Sequence, residues 1–185
     1  MALPHYSQDQ ASKKGKQYVP VQANLFEVTI LPPAGVSDSN LLLQHVNSIS
    51  GLDSLYKEVA AVEQKYKFAT RSFAGMPDGS AVDITVNFSL NINDSNQAYL
   101  YKTMRQWYNA QYDPQTGEMG LKKDYTGTIV VVQFNRAGDI YRTVTLEDCF
   151  ITSGLAFTAE LSYETADPQV IDVTWRCDTW KEVLS

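Results

Sequence analysis

The chain has 185 residues and a mass of 20.7 kDa, which fits one domain better than two. Apolar residues make up 44% and charged residues 19%, so we expect a packed core and not a wholly disordered chain. The formal net charge of -6 argues against a dedicated nucleic-acid-binding protein, which would need a basic face. No apolar run approaches the roughly 20 residues of a membrane helix, and the N-terminus lacks the apolar segment of a secretory signal.

The sequence offers little chemistry for a catalytic or metal site. There is no histidine pair, no Cys-x-x-Cys, no nucleophile motif and no phosphate-binding loop, so no catalytic, cofactor-binding or metal-binding residue is predicted. The two cysteines, Cys149 and Cys177, are too few for a disulfide framework. Their simplest interpretation is a pair of small core or interface residues that stay reduced in a cytoplasmic compartment. We therefore expect a protein that is not an enzyme.

The first part of the chain predicts an arm, two strands and a loop. Residues 1–22 lack hydrophobic periodicity and indicate an extended arm before a single domain over residues 23–185. Alternating apolar residues predict a strand at 26–30, and a second apolar segment predicts a strand at 41–49. Residues 54–79 settle on no period and predict a long projecting loop or hairpin. We expect this segment to contact an adjacent subunit or ring through its basic residues, which are Lys57, Lys65, Lys67 and Arg71.

The second part of the chain has clearer patterns. A nine-residue alternation predicts a strand at 82–90 with one buried face. Leu100, Met104 and Trp107 recur at helical spacing, so a helix over 94–110 is predicted to pack on the sheet through them. These three residues and Trp175 are the predicted core anchors.

The remaining strands complete a mainly β (α+β) fold. A β-branched run predicts a strand at 128–134, and a Gly-containing turn joins it to a partner strand at 140–151. A last alternation predicts a strand at 171–177. Strands dominate and one helix interrupts them, which predicts two packed antiparallel sheets, a sandwich-like domain with one flanking helix.

Polar residues on the outer faces of two strands are candidate lining for a channel. Asp83 lies on the polar face of the strand at 82–90, and Asp172 and Asp178 are assigned to the polar face of the last strand. Patterned polar faces of this kind line a solvent channel when copies close into a ring, which also removes the sheet edges. The alternative is an ordinary sheet face that looks at solvent.

Four segments in this order resemble the tail tube proteins of contractile-tailed bacteriophages, the T-even-like tube family related to phage-derived injection-system tubes. They are residues 24–30, the helix at 96–111, the hairpin at 129–151 and the closing segment at 170–180, which resembles the family's terminal strand. The resemblance spans most of residues 24–181.

The resemblance implies a structural subunit of the virion tail, assembled in the host cytoplasm. Six copies, as in the family's tubes, would form a ring with an inner β-barrel, and stacked rings would form a hollow conduit for DNA ejection. The implied partners are further copies of the chain, the tail sheath protein, baseplate and tail-terminator proteins, and transiently the tape measure protein and genomic DNA. A negative bore would repel phosphates and let DNA slide.

Three alternatives stay open at this point. The first is a tube-like baseplate or tail-terminator adaptor, and the second is the tube subunit of a phage-derived contractile injection system, because these proteins share one fold. The third alternative is a ligand-binding or carbohydrate-binding β domain, or an enzyme with no recognisable motif.

Overall fold

The computed structural model describes residues 21–36, 46–77, 79, 81–92, 99–157 and 168–185. Within these ranges the strands are β1 (Phe26–Leu31), β2 (Val46–Ser50), β3 (Ala61–Tyr66), β4 (Ala69–Ala74), β5 (Val82–Ser89), β6 (Gly127–Phe134), β7 (Ile140–Ile151), β8 (Ala156–Phe157), β9 (Val170–Cys177) and β10 (Thr179–Leu184). The helices are α1 (Tyr99–Gln111), α2 (Lys122–Tyr125) and a short 3₁₀ helix, Leu52–Leu55. The predicted arm at 1–22 lies almost wholly outside the described residues, as do residues 41–45 of the predicted second strand.

Eight of these strands form one antiparallel sheet, and β3 and β4 form a separate hairpin. The order in the large sheet is β1-β6-β7-β9-β5-β2, with β10 also paired to β7 and β8 to β9. The long strand β7 joins two halves, because most of it pairs with β6 and β10 while Phe150 and Ile151 pair with β9. We call β1, β6, β7 and β10 the first half-sheet, and β2, β5, β8 and β9 the second half-sheet.

A bulge marks the place where β7 changes partners. Gly127 pairs with Cys149 and Ile129 pairs with Leu146, so β7 has one residue more than β6 across this interval. Asp148 lies in the bulge with a φ of 54°, a left-handed conformation that Asp adopts more readily than most residues. Because a bulge bends its strand and increases its twist, β7 can pass from one half-sheet to the other here.

The two half-sheets bury their inner faces against each other. Side chains of β5 and β9 alternate between buried and more exposed positions, as the sequence alternation predicted. One continuous core cluster contains residues from both halves: Val28, Ile30, Ile84, Val86, Phe88, Ile129, Val131, Val144, Leu146, Ile171, Val173 and Trp175. The prediction of a mainly β domain with few helices is confirmed. The described strands of a single chain do not close into a barrel.

Helix α1 is anchored to the core by one apolar stripe. Leu100, Met104 and Trp107 are each 0% exposed, and Trp175 in β9 is 0% exposed as well. The indole of Trp107 donates a hydrogen bond to the carbonyl oxygen of Tyr125 at 2.7 Å, and its ring lies 5.9 Å from that of Trp175. Gly127 allows this approach, since a Cβ there would lie 2.7 Å from the Trp107 ring. Asp94, the predicted start of the helix, lies outside the described residues.

The C-terminal segment corrects two predictions. Residues 170–180 resembled a single terminal strand, but β9 ends at Cys177 and a further strand, β10, pairs with β7. Asp178 is therefore not a strand residue that shares a face with Asp172, because it is the one residue between β9 and β10. The chain crosses from the second half-sheet to the first at this position.

The cysteines are buried as predicted, but the prediction of reduced thiols is wrong. Cys149 in β7 and Cys177 in β9 are 0% and 1% exposed and form a disulfide. The bond links the two half-sheets directly beside the bulge.

The segment at 54–79, predicted to project as a loop or hairpin, also needs a correction. Leu55, at its start, is 4% exposed and belongs to the core.

Candidate functional site

The described residues hold no group of three or more His, Cys, Asp or Glu side chains placed to bind a metal ion. His5 and His45 lie outside the described ranges. In the same part of the chain, no helix has both the length and the apolar character needed to cross a membrane. The candidate functional features of the described residues are surfaces, and two of these surfaces were predicted from the sequence.

The outer face of β5 and β9 is a ladder of hydrogen-bonded polar pairs. Thr85 lies opposite Thr174, and their hydroxyl oxygens are 2.8 Å apart. Asn87 lies opposite Asp172 and donates an amide hydrogen bond to its Oδ1 at 2.6 Å. Each rung satisfies one side chain with another across the strand pair, so the face is polar and conformationally restrained.

The ladder extends to β2 and ends in an ion pair. Asn47 donates to Asn87 and accepts from Ser89, both at 2.9 Å. At the other end, the guanidinium of Arg176 lies 3.1 Å from the carboxylate of Asp83. We call this set the polar ladder; its members are Asn47, Asp83, Thr85, Asn87, Ser89, Asp172, Thr174 and Arg176.

The three acids predicted for a polar face have different surroundings. Asp83 and Asp172 belong to the polar ladder, where Arg176 compensates the charge of Asp83. Asp178 instead forms an ion pair with Lys122 of α2. The bond to Asp178 raises the pKa of Lys122 above its ordinary value. Asp172 is thus the ladder acid whose carboxylate accepts a hydrogen bond from an amide instead of pairing with a cation.

The hairpin of β3 and β4 stands away from the core. Six residue pairs run in register from Ala61 opposite Ala74 to Tyr66 opposite Ala69, and every residue in both strands is exposed. The sequence predicted either a long projecting loop or a hairpin for residues 54–79, and the structure has the hairpin. Phe68 lies in the two-residue turn at the tip and is 92% exposed.

Three of the four predicted contact cations lie on this hairpin. They are Lys65 in β3, Lys67 in the turn and Arg71 in β4. The ammonium of Lys67 lies 5.6 Å from the centre of the Phe68 ring, and the guanidinium carbon of Arg71 lies 5.7 Å from that of Tyr66. The fourth cation, Lys57, precedes the hairpin and is half-buried.

An open cavity of about 460 Å³ lies where the hairpin joins the core. We call it the basal cavity; it is lined by Leu55, Tyr56, Lys57, Val59, Pro77, Gly79, Val82, Asp178, Thr179 and Trp180. The rings of Tyr56 and Trp180 meet edge to face at 5.0 Å. The basal cavity therefore has aromatic and aliphatic walls and two charged residues.

A polar cluster fixes the aromatic wall of the basal cavity. Tyr56 donates a hydrogen bond to Glu182, which also accepts from the guanidinium of Arg142. These bonds, first that from Tyr56 and then that from Arg142, lower the pKa of Glu182 below its usual value of 4.5. The same bond to Glu182 raises the pKa of Tyr56. Glu182 thereby holds Tyr56 beside Trp180, which lies in β10 together with Glu182.

Neither this cluster nor the basal cavity was predicted from the sequence. Both depend on β10, where the adjacent Lys181 and Glu182 weaken the apolar alternation and no Gly or Pro marks the turn after β9. The one usable signal was the i, i+2 spacing of Trp180 and Glu182, which places both side chains on the same face of a strand.

Solved structures with the same fold come from contractile injection systems. A chain of the PVC sheath-tube complex in its extended state matches with a TM-score of 0.58 and 18% identity, over 97% of this chain and 99% of that one. A chain of the anti-feeding prophage (AFP) tube terminating cap matches with a TM-score of 0.59 and 17% identity, over 94% and 99%. The chain shares its fold with subunits of contractile injection systems.

Further matches fit the same conclusion. A chain of the AFP baseplate has a TM-score of 0.53 and 11% identity, over 90% of this chain and 97% of that one. No family model and no curated protein matches the sequence. The resemblance to phage-derived tail tubes that the sequence suggested is thus confirmed as a likeness of fold across nearly the whole chain.

Proposed function

We propose that the chain is a structural, non-enzymatic subunit of a phage-tail-like tube and assembles with copies of itself into stacked rings. The observation that carries the proposal is the fold, which matches a chain of a sheath-tube complex over 97% of this chain and 99% of the other. Matches of this coverage leave little of the chain for a separate catalytic or binding domain.

The hairpin supports self-assembly. A two-stranded hairpin is marginally stable by itself in water. Strands β3 and β4 are exposed throughout. They include Val62, Tyr66 and Phe73, whose side chains are each about half exposed. An interface with another subunit would bury these side chains and stabilise the hairpin. The basic residues of this segment led to the same prediction of a contact with an adjacent subunit.

The second half-sheet supplies a geometry for ring closure. Its strands run in the order β2-β5-β9-β8, and each described pair is antiparallel. Because neighbouring strands alternate in direction, the two edge strands, β8 and β2, run in opposite directions. Strand β8 of one copy can therefore pair antiparallel with β2 of the next copy. Head-to-tail joining of this kind closes into a ring and leaves no free edge in the second half-sheet. We propose six copies and an inner β-barrel, as in the tubes the sequence resembles.

The polar ladder would then line the lumen of that ring. Its side chains are already bonded to one another, so none needs a partner from the opposite wall. Asp83 is compensated by Arg176, and the ladder keeps one net negative charge from Asp172. A weakly negative, restrained wall would bind phosphates poorly, which suits passage of DNA and of a tape measure protein.

The proposed partners follow from the assembly. The outer wall of the tube would contact a sheath, and the ends would contact baseplate and terminator proteins. The particle would be assembled in the host cytoplasm. A phage tail and a phage-derived injection device both require these contacts, and their tubes differ in cargo rather than in fold.

A tube terminator or baseplate adaptor is the second candidate. The AFP terminating cap matches this fold as well as the sheath-tube complex does, with TM-scores of 0.59 and 0.58. Negative-stain microscopy of the purified chain at high concentration separates the two functions. A tube subunit gives long hollow rods, whereas an adaptor stops at single rings. A monomer at every concentration would contradict both.

A further inference from the structure

The hairpin tip and the basal cavity are complementary surfaces on one chain. We propose that Phe68 of one copy inserts into the basal cavity of a second copy. The inference rests on the proposed function and deepens it, because it names the surfaces by which copies join.

Phe68 is not buried by any of the described residues of its own chain. Its side chain is 92% exposed at the end of the hairpin, although phenylalanine is among the side chains that gain most from leaving water. Lys67 holds its ammonium 5.6 Å from the ring, so the tip combines one apolar ring with a cation. Such a tip fits a pocket that has an apolar interior and an acidic rim.

The cavity of the same chain is out of reach. Six residue pairs separate the tip from the base of the hairpin, and the backbone pair formed by Gly75 and Ala60 continues the ladder to the base. At about 3.4 Å per residue, the tip lies roughly 20 Å from the base. The occupant we infer is therefore Phe68 of another copy.

The basal cavity has the size and walls for an aromatic ring. Its volume is about 460 Å³, and Leu55, Val59 and Trp180 contribute apolar walls. Tyr56 and Trp180 already meet edge to face, and Tyr56 keeps 65% of its surface exposed. A third ring can add to this pair in the same edge-to-face manner, which aromatic rings prefer.

The hairpin is basic, whereas the chain segment that borders the cavity has a net negative charge. The hairpin carries Lys65, Lys67 and Arg71 against a single acid, Glu63. The chain beside the cavity carries two exposed acids, Asp53 and Glu58, next to the half-buried Lys57. Complementary charge at the edge of an apolar pocket favours this pairing and its orientation.

The geometry of the contact suits a polymer. The tip and the cavity are different surfaces of the same chain, so each copy can donate one tip and accept another. Contacts of this head-to-tail kind propagate into rings or filaments rather than stopping at a dimer.

A disulfide-trapping experiment tests the contact in the full chain. The double variant Phe68→Cys/Val59→Cys introduces one thiol at the tip and one in the cavity wall, at positions that are 92% and 48% exposed. The native cysteines are buried and joined to each other. The control, Met119→Cys/Val59→Cys, moves the first thiol to another strongly exposed apolar position, Met119 at 80%. Melting temperatures within about 2 °C of the parent establish that both variants fold.

The readout is non-reducing electrophoresis after mild oxidation of assemblies seen by microscopy. We expect a ladder of covalent multimers from the tip variant and a monomer band from the control. Assemblies without cross-links, or equal cross-linking in the control, would overturn the Phe68 contact and leave the proposed function intact. Failure of the parent chain to assemble at any concentration would overturn both.

Discussion

The folded sheet and the β3–β4 hairpin differ in where their partners lie. Strands β5 and β9 alternate between buried and polar positions; their inner face packs in the core, and their outer face is hydrogen-bonded within the chain. Strands β3 and β4 are as regular in register, but all their residues are exposed. The core of this molecule is completed by its own chain, whereas under the proposed function the hairpin is completed by a neighbouring copy. Substitutions in the core should therefore reduce stability, and substitutions in the hairpin should reduce assembly.

The largest expected loss of stability comes from the helix anchor. Trp107→Ala removes a fully buried indole, its hydrogen bond to Tyr125 and its contact with Trp175. We expect the free energy of unfolding to fall by about 3–5 kcal/mol, as for other large core truncations. Chemical denaturation of the variant and the parent measures this loss. An unchanged unfolding midpoint would show that α1 does not anchor the core.

The disulfide should have the next largest effect. It links Cys149 to Cys177 across 28 residues and joins the two half-sheets beside the bulge. Closing a loop of this length typically stabilises a domain by about 2–4 kcal/mol. The double variant Cys149→Ala/Cys177→Ala should lose about that much in urea denaturation, and a reductant should then have no further effect on it. A parent chain whose unfolding is also insensitive to reductant would contradict this account.

A smaller, pH-dependent effect is expected from Glu182. Bonds from Tyr56 and Arg142 hold the pKa of this carboxyl below its ordinary value of 4.5. Its contribution is complete above that value and is lost as the pH falls through the lower pKa of the folded state. Denaturation between pH 3 and 6 should therefore show a shallower acid-side decline for Glu182→Gln than for the parent. The matched control is Glu58→Gln at an exposed position, which should keep the slope of the parent. Identical slopes for all three proteins would exclude a role of the cluster.

Sequence patterns predicted the parts of the fold that one chain completes. The alternation at 82–90 and the stripe of Leu100, Met104 and Trp107 each reflect a single buried face. The hairpin gave no period because neither of its faces is buried within the chain. The polar alternation identified the outer faces of Asp83 and Asp172, but not the rungs between them, since pairing depends on register.

Other features depend on proximity that no local pattern reveals. Cys149 and Cys177 meet only because β7 changes partners at its bulge. Strand β10 follows β9 after one residue, Asp178, and lies in the other half-sheet. The basal cavity forms between segments more than 100 residues apart, namely the chain around Tyr56 and that around Trp180.

We propose that this chain builds a tube and that its hairpin joins the copies. The most direct measurement is negative-stain microscopy of the parent beside a variant in which residues 63–72 are replaced by a two-residue Asn-Gly turn. We expect long hollow rods from the parent. The variant should keep a melting temperature within about 3 °C of the parent and form no rods. Normal rods from the shortened chain, or no ordered assembly from the parent, would contradict the account.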